Sequence, residues 1–398
     1  MRIGMLVDVY KKHVSGVTHY VELNKRQLEK AGHEVYIFTF GEAASPDADE
    51  RVIYSRGLQI PGTDYYLSLS YSPAARRLLQ SMDVLHVQHP FVSGRLALRY
   101  GKPLGIPIVF TNHTRYDLYA REYARMVPAA VSEGLLRRYM PWFCRSVDLV
   151  ISPSAGMAAV LRGMGVTSPI EVIPNGIELE RFHGARALPR AQFGYRTDDV
   201  LLVYAGRVAF EKNLLFLLRA FAETARTCEE AQLLIMGGGT PTIQRAMQRE
   251  VSELSLGERV RFTGMMPYDE VPPYLRMCDA FVTASVSEVH PLSVIEAMAC
   301  GLPVVGIHSP GISDTVEDGK TGLLANEDSR DFAAKLTYLC KDATLRRTMG
   351  EQAEAASSRY GIERTAQTLL GQYERLVAAR KPNTRVDLRT AEEGRRRP

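Results

Sequence analysis

Residues 287–301 run Ser287-Glu288-Val289-His290-Pro291-Leu292-Ser293-Val294-Ile295-Glu296-Ala297-Met298-Ala299-Cys300-Gly301, directly after the apolar stretch Ala280-Phe281-Val282-Thr283-Ala284. The apolar stretch reads as a buried strand. Pro291 suits the first turn of a helix, where a missing N–H costs nothing. Leu292, Ile295 and Ala299 then recur at helical spacing. Gly301 and Pro303 end the helix, and Val304-Val305 begins another strand. Glu288 therefore lies in the loop off a strand tip, and Glu296 lies eight residues on, inside the helix. Between them, the free N–H groups of the first turn make an anion site. A sugar nucleotide fits: carboxylates accept from hydroxyls on both sides, and N–H donors meet phosphate in the middle. The same string also describes a plain strand–loop–helix with two solvated glutamates, so the rest of the chain decides.

With 398 residues, the chain is long enough for two domains. Its 45% apolar and 24% charged residues are those of a soluble globular protein. No apolar run approaches the ~20 residues of a membrane span, and Met1-Arg2-Ile3-Gly4-Met5-Leu6-Val7 reads as a first strand rather than a signal peptide. Five scattered cysteines without a C-x-x-C pair read as reduced thiols of a cytoplasmic protein. A net charge of +4 and the lack of any binding motif make nucleic acid an unexpected partner.

In chain order, a strand at residues 2–7, a helical pattern from about Thr18 to Lys30 and a strand at Val35–Thr39 form a βαβ opening. Gly16, in the loop after the first strand, lets backbone approach a ligand closely. No G-x-G-x-x-G is present, which disfavours a dinucleotide. Two further strands, Val84–Val87 and Pro107–Thr111, each end in a loop with a histidine, His89 and His113. Neither has a Ser or Cys partner, and no H-E-x-x-H or similar metal spacing occurs. Asp47-Ala48-Asp49 lies in a polar loop rather than against a strand core and reads as chance. From Tyr116 to Arg145 the chain mixes aromatics with basic residues: Tyr116, Tyr119 and Tyr123 with Arg121, Arg125, Arg137, Arg138 and Arg145. Met126, Leu135, Leu136, Tyr139, Met140, Trp142 and Phe143 are interleaved, and Pro128 and Pro141 are expected to cut the stretch into short helices. Such a mixture suits either a membrane surface or helices packed on the sheet with solvated arginines.

The α/β rhythm restarts at Leu201-Leu202-Val203-Tyr204-Ala205-Gly206-Arg207. Arg207 at a strand tip and Lys212 five residues on can converge on a diphosphate, one as a planar fork and the other as a point charge. Leu233–Met236 is another strand, and Gly237 and Gly238 after it leave room for a ribose or base.

The G-R-x4-K-N run at Gly206–Asn213, the E-x7-E of Glu288 and Glu296, Pro291, the Glu-Ala-Met-Ala run and Gly-Leu-Pro-Val-Val together resemble the retaining glycosyltransferases of family 4, of the GT-B type. The resemblance extends from Met1 to about Arg380. It implies two Rossmann-like doubly wound domains facing a cleft: residues 1–180 on the acceptor side, 181–199 a linker and 200–360 the nucleotide-sugar domain. Residues 361–380 would form a helix crossing back onto the first domain, and 381–398 a disordered basic tail. It implies that Arg207 and Lys212 neutralise a leaving diphosphate, helped by the N–H groups of Leu292 and Ser293, with Gly16 contacting phosphate across the cleft. Glu288 would hold sugar hydroxyls, Glu296 the ribose, and His113 would lie near the transferred sugar. Gly237, Gly238, His290 and Pro291 complete the expected donor site, and His89, Tyr116 and Tyr119 the acceptor side. Catalytic roles fall to His113, Glu288, Arg207 and Lys212, with no metal and no cofactor.

The run His89-Pro90-Phe91, Thr111-Asn112-His113-Thr114, Tyr116 and Tyr119 further resembles bacterial diacylglycerol glucosyltransferases. Those usually carry an aromatic at Asn112 and a T-E-T-Q-G-type run where this chain has Ser-Glu-Val-His-Pro. The resemblance implies transfer of a hexose, glucose first, from UDP-glucose or another nucleoside diphosphate sugar to a lipid acceptor such as diacylglycerol. It also implies a cytoplasmic enzyme peripheral at the inner face of an anionic membrane. A soluble sugar or other small-molecule acceptor is the alternative. So is an inactive nucleotide-sugar-binding subunit, which would be expected to have lost Arg207, Lys212 or a glutamate. A phosphorylase of the same architecture would need a lysine-held pyridoxal phosphate.

Overall fold

The structure is a computed structural model and describes residues 1–10, 16–42, 49–60, 66–118 and 129–380. Strands form in chain order as β1 (Arg2–Leu6), β2 (Glu34–Phe40), β3 (Val52–Ser55), β4 (Leu58–Gln59), β5 (Tyr66–Leu67), β6 (Val84–Val87), β7 (Ile108–Thr111), β8 (Leu149–Ser152) and β9 (Ile170–Val172). The second half adds β10 (Val200–Ala205), β11 (Ala231–Met236), β12 (Val260–Gly264), β13 (Ala280–Thr283), β14 (Val304–Ile307) and β15 (Gly322–Ala325). One sheet has the order β3-β2-β1-β6-β7-β8-β9 and the other β12-β11-β10-β13-β14-β15, every pair parallel. In both sheets the chain reverses its order of addition beside the first strand, β1 or β10, and ligands of open α/β sheets bind at that switch. β6, β7, β8, β10, β13 and β14 are buried at every position, as expected of strands covered by helices on both faces. The chain is thus α/β, with two Rossmann-like doubly wound domains.

The helix Ile362–Ala379 lies on the first sheet although it follows the second. Leu369 and Tyr373 are buried in the cluster that holds Ile3, Met5 and Val7. Where the chain leaves the first sheet and later returns, the two passes bond to each other: Ile177 N–H to Tyr360 O and Ile362 N–H to Ile177 O, both 2.9 Å. Gly176 makes this crossing possible, because a Cβ there would sit 2.2 Å from Thr365 Oγ1.

Segment 181–199 has no periodicity but is firmly packed. Phe182 is fully buried, and Arg190 donates to Met277 O and pairs with Asp279, both at 2.9 Å. It packs through isolated residues, which leaves no repeat to read.

One expectation is overturned. Pro141 does not break its stretch; a single helix, Ala129–Ser146, runs through it. An internal proline costs ~3 kcal/mol. Met140, Phe143 and Cys144 beside it are fully buried, and burial returns ~1.5–3 kcal/mol for a side chain of Met or Phe size, so packing wins. Met140 accordingly belongs to the core and cannot reach a membrane. Tyr119, Arg121, Tyr123, Arg125, Met126 and Pro128 lie outside the described residues, as do Asp47, Ala48 and the tail 381–398. Asp49 pairs with Lys25 at 2.8 Å.

Candidate active site

β13 delivers the loop 284–291 to its C-terminal end, and the helix Leu292–Ala299 starts there with Pro291 as its N-cap. No side chain caps that helix, so its first N–H groups remain as donors. The helix Gly16–Lys30 of the other domain begins opposite. A Cβ on Gly16 would lie 4.0 Å from Leu292 Cδ1. Two helix N-termini, one from each domain, therefore come close together, an arrangement whose dipoles favour an anion.

The charged groups stand beside this point. Lys212 Nζ bonds Glu288 Oε1 at 2.6 Å, with both side chains about four-fifths covered. Burial pushes the Glu288 carboxyl up, but the Lys212 ammonium, hydrogen bonds from Lys212 and Ser285 and the Arg207 charge outweigh it and hold it below the usual value. Glu288 is thus a carboxylate already paired with its cation. Arg207 is largely exposed and pairs with Glu211. Tyr204 Oη donates to the Arg207 carbonyl at 2.9 Å, pinning the strand tip from which Arg207 extends. Gly237 stacks on that tip so closely that a Cβ would lie 1.8 Å from Gly206 O, and Gly238 faces Met265. Gly311 N–H bonds Glu288 O at 3.2 Å and closes the loop from behind.

Glu296 is buried, and Tyr268 Oη donates to its Oε1 at 2.7 Å. Burial raises the Glu296 carboxyl to about 7, opposed by Tyr268 and Arg181. Tyr268 packs on His19 of the first domain, 4.5 Å between ring centroids. His290 turns inward, its ring against Tyr360 at 5.1 Å, and burial lowers its pKa to about 3. Its backbone carbonyl is what the cleft uses: Asn175 Nδ2 of the first domain donates to it at 3.2 Å.

At the tips of β6 and β7 in the first domain, His113 Nε2 lies 2.8 Å from Gln88 Oε1, and burial, with His89 and His86 nearby, holds its pKa well below the ordinary value. His89 Nδ1 accepts the Asp8 N–H at 3.2 Å, which fixes the β1 loop. Tyr116 meets Phe91 edge-on, 5.3 Å between centroids. Tyr119 lies outside the described residues. Among those described, no group of three or more His, Cys, Asp or Glu is placed to hold a metal. Gln88, Tyr268 and Asn175 escaped the sequence reading; each acts through a fold contact, and only Asn175, in a Pro-Asn-Gly turn, carried any local signal.

Two parallel α/β sheets whose helix N-termini meet between them define the GT-B architecture. Residues 14–181 match the glycosyltransferase family 4 and residues 186–356 the glycosyl transferases group 1. The D-inositol 3-phosphate glycosyltransferase of Nocardia farcinica is 30% identical over 309 residues, 75% of this chain and 68% of that one. The alpha-monoglucosyldiacylglycerol synthase of Streptococcus pneumoniae is 28% identical over 338 residues, 81% and 75% of the two chains. Sucrose-phosphate synthase from Thermosynechococcus elongatus superposes with a TM-score of 0.78 at 23% identity, over 95% of this chain and 99% of that one. The chain belongs to the family 4 glycosyltransferases.

Proposed function

We propose that this glycosyltransferase moves a hexose, glucose first, from a nucleoside diphosphate sugar such as UDP-glucose to a lipid hydroxyl such as that of diacylglycerol, with retained anomeric configuration. The carrying observation is the meeting of Gly16 and Leu292, two helix N-termini beside Lys212 and Arg207. Negative charge grows on the departing diphosphate, and preorganised donors aimed at it lower the barrier most. The first-turn N–H groups at Leu292 and Ser293 and the cations of Lys212 and Arg207 supply that charge. Glu288, kept ionised, then holds sugar hydroxyls, Glu296 takes the ribose and His113 lies by the sugar. No carboxylate pair flanking the anomeric carbon is required, unlike in a glycosidase, and no resident cofactor is used. Full turnover in EDTA is the check that no metal ion takes part.

The acceptor reading draws on the relative named as a glucosyldiacylglycerol synthase and on one exposed face. Leu135, Arg138, Trp142 and Arg145 follow each other at three- and four-residue steps on the helix Ala129–Ser146 and all reach solvent. Exposed Arg95, Arg99 and Lys102 gather around Trp142. Each basic residue near an anionic bilayer contributes ~1 kcal/mol, so three or four would attach the protein reversibly. No helix among the described residues is long and apolar enough to cross a membrane. The inositol-phosphate relative keeps a soluble acceptor as the second reading. A panel of nucleotide sugars offered with a lipid extract, products read by mass spectrometry, tests both; a product only with water-soluble acceptors selects the second.

A further inference from the structure

We infer that Gln88 is a positioning residue that locks His113 in the Nε2–H tautomer, leaving Nδ1 to accept a hydrogen bond from a hydroxyl of the bound substrate. The inference rests on the transferase reading above and deepens it.

Gln88 follows β6 and is fully buried. Its amide can face His113 with either end, and the surroundings choose. Nε2 lies 3.4 Å from the His86 carbonyl oxygen, which can only accept, so the NH2 end points there. Oε1 is left facing His113 Nε2 at 2.8 Å. An amide oxygen only accepts as well, so Nε2 must carry the proton. With its pKa held well below the ordinary value by burial, His113 is neutral and has a single ring N–H. The lone pair therefore sits on Nδ1, which has no hydrogen-bond partner among the described residues, and His113 as a residue is only half-buried.

The ring cannot easily turn to escape this assignment. Tyr20 presses on it, 4.6 Å between centroids at 61°, and Tyr20 is itself bonded to Thr111. Thr111 Oγ1 meets His86 Nε2 at 2.7 Å, and His86 Nδ1 meets Tyr373 Oη at 2.5 Å. A buried chain of polar contacts thus runs from the crossing helix Ile362–Ala379 to the two groups that hold His113. The titratable groups around the imidazole are His86, His89 and Tyr20, with Asp8 beyond His89.

A lone pair at Nδ1 discriminates. Phosphate oxygens and carbonyls, which only accept, cannot satisfy it, whereas a hydroxyl can. A nitrogen of such low basicity also holds a hydroxyl without removing its proton. His113 is thus placed to orient a sugar or acceptor hydroxyl through Nδ1.

Protein carrying 15N-ring-labelled histidine tests this by long-range 1H–15N correlation, with His113 assigned by loss of its signals in His113→Asn. A neutral Nε2–H pattern at pH 7 is expected. Gln88→Leu should release it toward the Nδ1–H form and lower kcat about tenfold, the order of one well-aligned hydrogen bond, with the melting temperature retained. Gln88→Glu, which keeps an acceptor oxygen, should restore the tautomer. UDP-glucose should shift the Nδ1 resonance, and UDP alone should not. An Nδ1–H pattern in the wild type, an unchanged tautomer and kcat in Gln88→Leu, or an equal Nδ1 shift with UDP would each overturn the inference. An Nε2–H signal in wild-type protein that turns over no donor would support the tautomer while overturning the transferase reading.

Discussion

Glu288 and Glu296 carry the same carboxyl group eight positions apart, and their surroundings drive them in opposite directions. Lys212 and Arg207 keep Glu288 ionised, whereas burial lifts Glu296 to about 7. Between pH 4.5 and 7 the folded chain holds a proton on Glu296 that the unfolded chain has released. Stability therefore falls as pH rises through that window. Glu296→Gln removes the cost, at ~1.4 kcal/mol per unit of pKa. The variant should melt higher than the wild type at pH 8 and alike near pH 4.5, while its KM for the donor rises; equal melting at both pH values would refute the buried-acid account. The diphosphate clamp makes a second prediction. Lys212→Ala or Arg207→Ala should lower turnover ~10²-fold, as loss of one charge-stabilising donor does. Wild-type rates in both would remove the clamp from the mechanism.

At the scale of elements, the strand–loop–helix of 280–301 was legible because every signal there is local: an apolar run, a proline at the helix start and a glycine past its end. Glu288 and Glu296 could be placed on loop and helix from those alone. The contacts that tune them could not be read locally: Tyr268 and Gly311 arrive from other elements at sequence distances no pattern encodes, and Lys212 was brought to the same site only by the family resemblance. Pro141 was misread for a related reason: local propensity forbids it, and only the burial of Met140, Phe143 and Cys144 overrides that. Gly311 shows how finely the loop is fitted, because a Cβ there would lie 2.6 Å from Glu288 O. Gly311→Ala should displace the loop and cost at least tenfold in kcat, a misplacement effect, with modest loss of melting temperature. Steady-state kinetics beside thermal melting separates this from general unfolding.

At the scale of the whole molecule, polar contacts, apolar packing and one crossing helix tie the two sheets: Val289 of the second domain is buried in a core cluster of the first, and Pro310 lies against Gly156. Asn175 to His290 and Gly156 N–H to the Asp314 carboxylate span the halves. The exposed Arg138, Trp142 and Arg145 belong to the first domain, on the helix whose Tyr139 bonds Pro90 O in the loop after β6. An Arg137/Arg138 double alanine variant should lose flotation with anionic vesicles at low salt, and high salt should release the wild type. Soluble behaviour of the wild type at both salts would favour a soluble acceptor.

The central claim is retaining transfer of a hexose from a nucleoside diphosphate sugar, and the anomeric proton of the product reads it directly. With UDP-α-glucose and diacylglycerol in anionic vesicles, proton NMR should show a glycoside with the small coupling of an α linkage. A β-linked product, or donor left intact across the whole nucleotide-sugar and acceptor panel, would contradict the account.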